Sequence, residues 1–110
     1  MRLPNAEQAS IEERKVTEYL LAIDHPEGAG KAGFFTSFGF TVEDWQVLAD
    51  ALLAHARMHP ISSSGRSIYG TKYRIDGAIS CPDGRMPVIR SVWIIDAGAE
   101  IPRLVTAHPL

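Results

Sequence analysis

The spacing of apolar residues changes from a helical period to a strand period between Pro60 and Gly65. Before that point apolar side chains recur every three to four residues, which is typical of helices that bury one face. After it they alternate with polar side chains, which is typical of strands. This order predicts an α+β fold, with N-terminal helices packed on one face of a C-terminal antiparallel β-sheet of at least three strands. We expect a single domain over 1–110, helical over 10–60 and sheet over 66–110.

Three helices are predicted in the first part. A capping box at Ser10 starts the first of them. The second runs over 31–38 and is closed by Gly39, the residue type that most readily adopts the left-handed conformation after a helix. The third follows Thr41 and carries an apolar stripe that includes Trp45, which we expect to anchor the core.

Three strands are predicted in the second part, over 68–79, 88–95 and 103–107. The Ser-rich stretch 62–65 is expected to be a flexible joint before them. The turn signal Pro82-Asp83-Gly84-Arg85 joins the first two strands as a hairpin.

The register of that hairpin depends on the length of its loop. A two-residue loop at 83–84 places Arg74 opposite Trp93, on the face away from the helices. Arg90 then lies toward the end of the apolar face, where a buried charge is costly unless it is paired. A longer loop or a bulge would move Arg90 to the other face, and the sequence leaves both registers open.

Composition places limits on the class of protein. Apolar residues make up 45% of the chain and charged residues 22%, as in an average globular protein. No stretch approaches the ~18 apolar residues of a membrane span, and the first residues do not look like a secretory leader. The single Cys81 fits a reducing compartment. We expect a cytoplasmic protein without a membrane partner, although release by a specialised secretion system would leave no mark in this sequence.

Charge is unevenly distributed. The net charge of −2 argues against broad, non-specific nucleic-acid binding. The part from 61 to 110 nevertheless holds six Lys and Arg against four Asp and Glu. The second part can therefore form a local anion-binding face, or simply a solvated sheet surface.

The turn between the first two helices is rich in Gly and carries one His and one Lys. Gly28 and Gly30 allow backbone N–H groups to converge, and the next helix adds the positive end of its dipole. Lys31 would hold a phosphate there while His25 acts as general acid or base. The turn is not a P-loop, which needs Gly at 25 and Ser or Thr at 32. The simpler alternative is that His25 caps a helix and Lys31 is solvated.

A second candidate group lies on the sheet, where Lys72, Arg74, Thr106 and His108 can line one open face. Such a set suits cleavage of a phosphodiester by internal attack. A His takes the proton of the 2′-hydroxyl, and Lys or Arg neutralises the charge that develops on the phosphate. The alternative is that Arg74 stacks on Trp93 at the surface and that His108 belongs to a frayed end.

No metal site or cofactor is expected. His55 and His59 have the i, i+4 spacing of metal ligands, but no third ligand is evident nearby, and we interpret both as solvent-facing. Cys81 has no partner that would activate it as a nucleophile.

The chain resembles a bacterial family of short domains of unknown function. The shared motifs occur in order over nearly the whole length: Leu3-Pro4-Asn5-Ala6-Glu7, His25-Pro26-x-Gly28-x-x-Lys31-Ala32-x-Phe34-Phe35, Gly39-Phe40, Tyr69-Gly70-Thr71-Lys72-Tyr73, Pro82-Asp83-Gly84-Arg85, Val92-Trp93-Ile94-Ile95 and Pro102-Arg103-Leu104-Val105-Thr106. Similar modules occur in toxin-like contexts. The layout is also similar to the barnase–EndoU–colicin–RelE ribonuclease fold, a likeness of fold that does not by itself establish function.

Members of that fold class cleave RNA without a metal, so the resemblance implies a metal-independent endoribonuclease-like toxin domain. Its partners would be RNA and a cognate immunity or antitoxin-like protein. The catalytic residues that the resemblance implies are His25, Lys31, Arg90, Thr106 and His108. The Gly-rich turn and the sheet face described above add Gly28, Gly30, Lys72 and Arg74 as predicted RNA- or phosphate-binding residues. The family pattern has a Tyr where this chain has His108. The alternative is a non-catalytic protein-interaction module.

Overall fold

The computed structural model of the protein describes residues 1–22 and 29–110. A 3₁₀ turn at Ala6–Gln8 comes first. The helices are α1 (Glu13–Lys15), which continues directly into a π-helix (Val16–Leu20), α2 (Ala29–Ser37) and α3 (Trp45–Met58). The strands are β1 (Ser63–Ser67), β2 (Gly70–Ala78), β3 (Val88–Asp96) and β4 (Arg103–Pro109). The predicted α+β fold is confirmed.

The four strands form one antiparallel sheet in the order β1-β2-β3-β4. The N-terminal segment lies against the free edge of β4, where Ser10 forms a parallel bridge with Arg103. The Ser10 amide donates to the Pro102 carbonyl at 3.1 Å, and the Leu104 amide donates to the Ser10 carbonyl at 3.2 Å. The predicted capping box at Ser10 is therefore wrong: the helix begins at Glu13, and Ser10 completes the sheet instead.

One face of the sheet packs on the helices. From the sheet the core receives Ile75, Ile89, Trp93, Leu104 and Ala107, and from the helical part it receives Val16, Leu20, Phe35, Leu48 and Leu52. The helix α2 ends at Ser37, one residue earlier than predicted. Gly39, after Phe38, has a φ of 100°, which fits its predicted role of closing the helix.

The other face of the sheet, called the outer face below, carries Lys72, Arg74 and Asp76 of β2, Arg90, Val92 and Ile94 of β3, and Thr106 and His108 of β4. Val92 and Ile94 do not belong to the core cluster that the helices cover, although each side chain is at least nine-tenths buried. The register places them between the long side chains of neighbouring strands, which can cover apolar surface with their stems.

Of the two registers that the sequence allowed for the β2–β3 hairpin, the one with a two-residue loop at 83–84 is wrong. Pairing of β2 with β3 ends at Ala78 and Val88, so the two strands are connected by residues 79–87, which are odd in number. The Pro82–Arg85 turn forms at its tip, where the Gly84 amide donates to the Cys81 carbonyl at 3.0 Å. An odd loop shifts the pairing by one residue, which exchanges the faces of every side chain on one strand relative to the other. Arg74 consequently lies opposite Val92 rather than Trp93.

Two more predictions about the second part are corrected. The stretch expected to be a flexible joint belongs to strand β1, which pairs Ser63 with Arg74 and Ser67 with Gly70. The predicted strand over 68–79 is interrupted, since Ile68 and Tyr69 form the tip of the β1–β2 hairpin and are 85% and 73% exposed.

The buried aromatic anchor of the core is Trp93, which is fully inaccessible, whereas Trp45 is only partly buried at the start of α3. The indole N–H of Trp93 donates to Ser91 Oγ at 2.9 Å. Ser91 in turn lies 3.0 Å from His55 Nδ1, and His55 Nε2 lies 3.1 Å from the Gly77 carbonyl. A neutral imidazole with its proton on Nε2 satisfies this chain, because Ser91 then donates to Nδ1.

The interpretation of His55 as solvent-facing is therefore wrong. Its side chain is 2% exposed, and burial lowers its pKa from the usual value, with the charge of His59 acting in the same direction. The ring of His59 is also turned inward, 2.9 Å from the Ala78 carbonyl and 4.9 Å from the His55 ring. His55 in α3 and His59 directly after it thus join this helix to the end of β2.

We expect this buried imidazole to make the protein acid-sensitive. A His whose pKa is lowered by folding takes up a proton more readily when unfolded, so the free energy of unfolding falls as the pH drops below about 6.5. The slope for one group is at most about 1.4 kcal/mol per pH unit. Urea denaturation at pH 7.0, 6.0 and 5.0 should show this decline in the wild type.

The matched variant is His55→Gln, which is less stable at pH 7 but should lose little further stability between pH 7 and 5. Asp76, Asp83 and Asp96 have lowered pKa values because each carboxylate accepts hydrogen bonds from an Arg. Their contribution to the free energy of unfolding is complete above about pH 5 and is lost as the pH falls below that value. An equal decline in wild type and variant between pH 7 and 5 would contradict the role of His55.

No helix in the described ranges 1–22 and 29–110 is long and apolar enough to cross a membrane.

Candidate functional site

The π-helix places Tyr19 at the β4 end of the outer face. Its wider turn is marked by the Leu21 amide, which donates to the Val16 carbonyl five residues back at 2.8 Å. Val16 and Leu20 are fully buried and hold this segment in the core, while Tyr19 is only half-buried. Short π-helical turns are rare and occur frequently at functional sites, where they redirect a side chain.

The hydroxyl of Tyr19 is the centre of a cluster of polar groups. Lys31 Nζ, from the first turns of α2, donates a hydrogen bond to it. Thr106 Oγ1, from β4, lies 3.3 Å from the same oxygen. Lys15 Nζ lies 5.2 Å from the centre of the Tyr19 ring, within the range of a cation–π contact. Three separate elements therefore converge on one phenol.

These neighbours change the acidity of the phenol. Burial raises the pKa of Tyr19, but the hydrogen bonds from Lys31 and Thr106 and the positive charges of Lys31 and Lys15 together outweigh that effect. The resulting pKa lies below the usual value of about 10. A phenol of this kind gives up its proton more easily, which suits acid–base chemistry nearer neutral pH.

A cleft of about 530 Å³ opens beside this cluster. Its lining is charged with both signs and is formed by Glu12, Arg14, Lys15, Glu18, Tyr19, Val105 and Thr106. Arg14 is paired with Glu18, with 2.8 Å between Nε and Oε2. Lys31, which donates to the Tyr19 hydroxyl, and Lys15, which lies over the Tyr19 ring, supply positive charge beside the phenol.

A β-bulge in β4 determines which side of the strand Thr106 occupies. The register shifts between Val92, which pairs with Thr106, and Trp93, which pairs with Leu104, so Val105 is the extra residue. Without it the alternation along β4 would turn Thr106 toward the core. Bulges are common next to functional sites because they redirect a side chain in this way.

The structure brings together two of the predicted site residues, Lys31 and Thr106, which both contact the Tyr19 hydroxyl. Gly30 is exposed in the first turn of α2. Lys72 and Arg74 lie on the outer face, where Arg74 Nη1 donates to Ser63 Oγ at 3.3 Å.

Two of the predicted residues, His25 and Gly28, lie outside the described residues. His108 lies on the same face as Thr106, and its Nδ1 is 3.1 Å from the Pro109 carbonyl. Arg90 lies opposite both His108 and Asp76, so it does not lie opposite Gly77.

Arg90 is paired with a carboxylate on the outer face. Its Nε and Nη2 donate to the two oxygens of Asp76 at 2.7 and 2.9 Å. The pairing lowers the pKa of Asp76, chiefly through the hydrogen bond from Arg90. Arg103 forms the same two-bond pair with Asp96, at 2.8 and 3.0 Å. The charges of Arg90 and Arg103 are therefore already balanced by neighbours.

Tyr19 was not predicted as a site residue, because its spacing places it on the apolar face of the first helix. A usable signal was present, because Lys15 lies four residues earlier, on the same side of a helical turn. Nothing in the sequence indicates the π-helix or the approach of Lys31.

The sequence also offered Cys81 as a nucleophile candidate and the spacing of His55 and His59 as a metal-ligand candidate. Burial raises the pKa of the Cys81 thiol, and the charge of Asp83 adds to the effect. Among residues 1–22 and 29–110, no three His, Cys, Asp or Glu side chains come together in a way that could hold a metal ion.

Comparison with known proteins supports the fold. The solved structure titled "Contact-dependent growth inhibition toxin - immunity protein complex from Klebsiella pneumoniae 342" contains a chain of the same fold, with a TM-score of 0.72 and 15% sequence identity. The alignment covers 91% of this chain and 98% of that chain. No curated protein matches the sequence. Residues 2–110 match the family model described as "Domain of unknown function (DUF6883)", and the chain belongs to that family.

Proposed function

We propose that the protein is a metal-independent ribonuclease-like toxin domain in which Tyr19 is the acid–base group. The observation that carries this proposal is the contact of the Tyr19 hydroxyl with Lys31 and Thr106 beside an open cleft, together with its lowered pKa. Phosphodiester cleavage by internal attack needs a base, a cation beside the phosphate and a proton for the leaving group, and this surface offers all three.

In the proposed reaction the Tyr19 phenolate takes the proton of a ribose 2′-hydroxyl. The 2′-oxygen attacks the adjacent phosphorus, and the bond from phosphorus to the 5′-oxygen of the next nucleotide breaks. The products are a 2′,3′-cyclic phosphate and a 5′-hydroxyl. Lys31 neutralises the charge that develops on the phosphate oxygens, and Thr106 orients the phenol.

The departing 5′-oxygen requires a proton, and we assign this step to His108. In the reacting form His108 is an imidazolium: its Nδ1–H donates to the Pro109 carbonyl, and its Nε2–H supplies the proton that passes to the 5′-oxygen, which leaves a neutral imidazole. Arg90, whose charge is balanced by Asp76, supports the outer face beside His108 rather than binding the phosphate directly. His25 as a catalytic acid–base residue and Gly28 as a phosphate-binding residue stay predictions.

A toxin-like role with a protein partner is part of this proposal. Its support is the shared fold with a chain from a toxin–immunity protein complex, a likeness that concerns the fold alone. We propose that a cognate immunity or antitoxin-like protein neutralises the domain by covering the Tyr19 cleft.

The test is cleavage of total RNA and of tRNA by the purified protein in EDTA. Tyr19→Phe keeps the ring and removes the ionisable oxygen, so we expect kcat/KM to fall about 100-fold, the lower end of the range for acid–base groups. Lys31→Ala should have a comparable effect. Tyr69→Phe, at the exposed hairpin tip, is the matched control and should leave the rate unchanged.

The pH dependence gives an independent readout. If Tyr19 acts as the base, the wild-type rate rises with pH as the phenolate forms and levels off above its lowered pKa, and Tyr19→Phe lacks this rise. RNA cleavage that is unchanged in Tyr19→Phe would reject the assignment of the base.

A second candidate function, a non-catalytic protein-interaction module, is favoured by a different surface. Met58 and Met86 are 63% and 57% exposed and flank a groove of about 70 Å³ between α3 and the 79–87 connection. Flexible, exposed Met side chains are common at protein-binding surfaces. If folded wild-type protein at high concentration neither cleaves nor binds RNA, this candidate replaces the ribonuclease.

A further inference from the structure

One row of side chains crosses the outer face from β1 to β4 and ends at the Tyr19 cluster. Cross-strand pairing places Ser63 opposite Arg74, Arg74 opposite Val92, and Val92 opposite Thr106. Neighbouring strands lie about 4.8 Å apart, so the backbones of Arg74 and Thr106 are about 10 Å apart. The Tyr19 hydroxyl continues the row beyond Thr106.

The positive charge available along this row is concentrated on β2. Arg90 and Arg103 are each held by a carboxylate through two hydrogen bonds. Arg74 instead contacts a neutral hydroxyl, that of Ser63, and Lys72 is exposed on the same face. Between β2 and the Tyr19 cleft lies Val92, which is apolar and 9% exposed, so the middle of the row carries no carboxylate.

We propose that this row is a binding track for the backbone of single-stranded RNA, which crosses the strands with one phosphate at Arg74 and the reacting phosphate at Tyr19. This proposal rests on the proposed function. The backbones of Arg74 and Thr106 are about 10 Å apart and the Tyr19 hydroxyl lies beyond Thr106, whereas phosphates of one strand are spaced about 3.4 Å along a stacked helix. We therefore assign Arg74 to a phosphate other than the one that is cleaved. The substrate must therefore contain more than one phosphodiester.

The small number of available cations favours a single strand over a duplex. Proteins that bind duplex nucleic acid through its backbone commonly make about 6–10 phosphate contacts. This face and the cleft offer Lys72, Arg74, Lys15 and Lys31 on a chain of net charge −2. Two to three contacts to a single strand predict a slope of about −1.4 to −2.1 for log K against log salt concentration.

Substrates of two lengths distinguish a residue of the binding track from a residue of the catalytic cluster. The substrates are the pool of all sixteen dinucleoside monophosphates, which contain one phosphodiester, and a pool of random-sequence RNA hexamers. Arg74→Ala should lower kcat/KM about tenfold on the hexamers and less than twofold on the dinucleotides. Arg74→Lys keeps the charge and should retain most of the hexamer rate.

The matched control is Arg66→Ala, on the neighbouring strand but paired with Thr71 and so facing away from the outer face. It should change neither rate. Tyr19→Phe should lose activity on both substrate lengths. If Arg74→Ala lowers kcat/KM equally on dinucleotides and hexamers, or on neither, the proposed binding track is overturned.

Binding of a fluorescent 2′-O-methyl hexamer, which has no attacking hydroxyl, tests the track without any cleavage. If the wild type binds it and Arg74→Ala binds about tenfold more weakly, the track stands even when no RNA is cleaved, and only the proposed reaction fails. Equal affinity of the wild type for a 12-base-pair RNA duplex and for the hexamer would overturn the assignment to single strands.

Discussion

Replacing Trp93 with Ala is expected to lower the free energy of unfolding by about 3–5 kcal/mol, the range found when a large core aromatic is truncated. The side chain is fully inaccessible to solvent and projects from the core face of β3 toward the helices. Truncation leaves a cavity and also removes the indole N–H that donates to Ser91 Oγ. The loss therefore combines packing with disruption of the Ser91–His55 chain.

Urea denaturation at pH 7 measures this change, with two matched variants. Trp93→Phe keeps most of the volume but not the donor, so it should cost less than the Ala variant. Trp45→Ala, at a partly buried position, should also cost less. Equal losses for the two Ala variants would contradict the assignment of Trp93 as the anchor of the core.

Gly70→Ala is expected to lower the free energy of unfolding by at least about 3 kcal/mol, from backbone strain and close contact together. Gly70 has a φ of 140°, which side chains other than that of Gly rarely adopt. An added Cβ would lie 2.2 Å from the Ile95 carbonyl oxygen and 2.9 Å from the Asp96 Cα. Both contacts are with backbone of the neighbouring strand, which can move aside only by breaking its pairing.

Gly84→Ala separates the two causes, because Gly84 also has a positive φ, 89°, but nothing lies within 4 Å of its added Cβ. Its loss should reflect the backbone conformation alone, about 1 kcal/mol. Thermal unfolding followed by circular dichroism compares the variants. If Gly70→Ala and Gly84→Ala have the same melting temperature, the close approach at Gly70 is not the main cause of its loss of stability.

The sequence was sufficient to predict the class of fold because the change of period lies in the residues themselves. It was not sufficient to fix the faces of the sheet, because these depend on whether the loop before β3 has an odd or an even number of residues. That parity is decided by where pairing stops, at Ala78 and Val88, and not by the Asp83–Gly84 turn signal. The same uncertainty placed Trp93 on the surface and Arg90 on the apolar face.

The candidate site was predictable only in part, for a comparable reason. Lys31 and Thr106 belong to chemical types that suit phosphate chemistry, and their types are visible in the sequence. Their meeting point is Tyr19, which depends on a π-helical turn and on the Val105 bulge. Each of these is a local insertion into a regular element, and the apolar pattern carries no sign of either.

The contact between Tyr19 and Thr106 joins residues that are 87 positions apart in the chain. During synthesis the phenol leaves the ribosome long before the strand that completes its surroundings. A nascent chain that ends before β4 lacks both Thr106 and the strand edge on which Ser10 rests. The cluster around the Tyr19 hydroxyl can therefore be completed only after β4 has been made, so it is among the last features of this fold to form during synthesis.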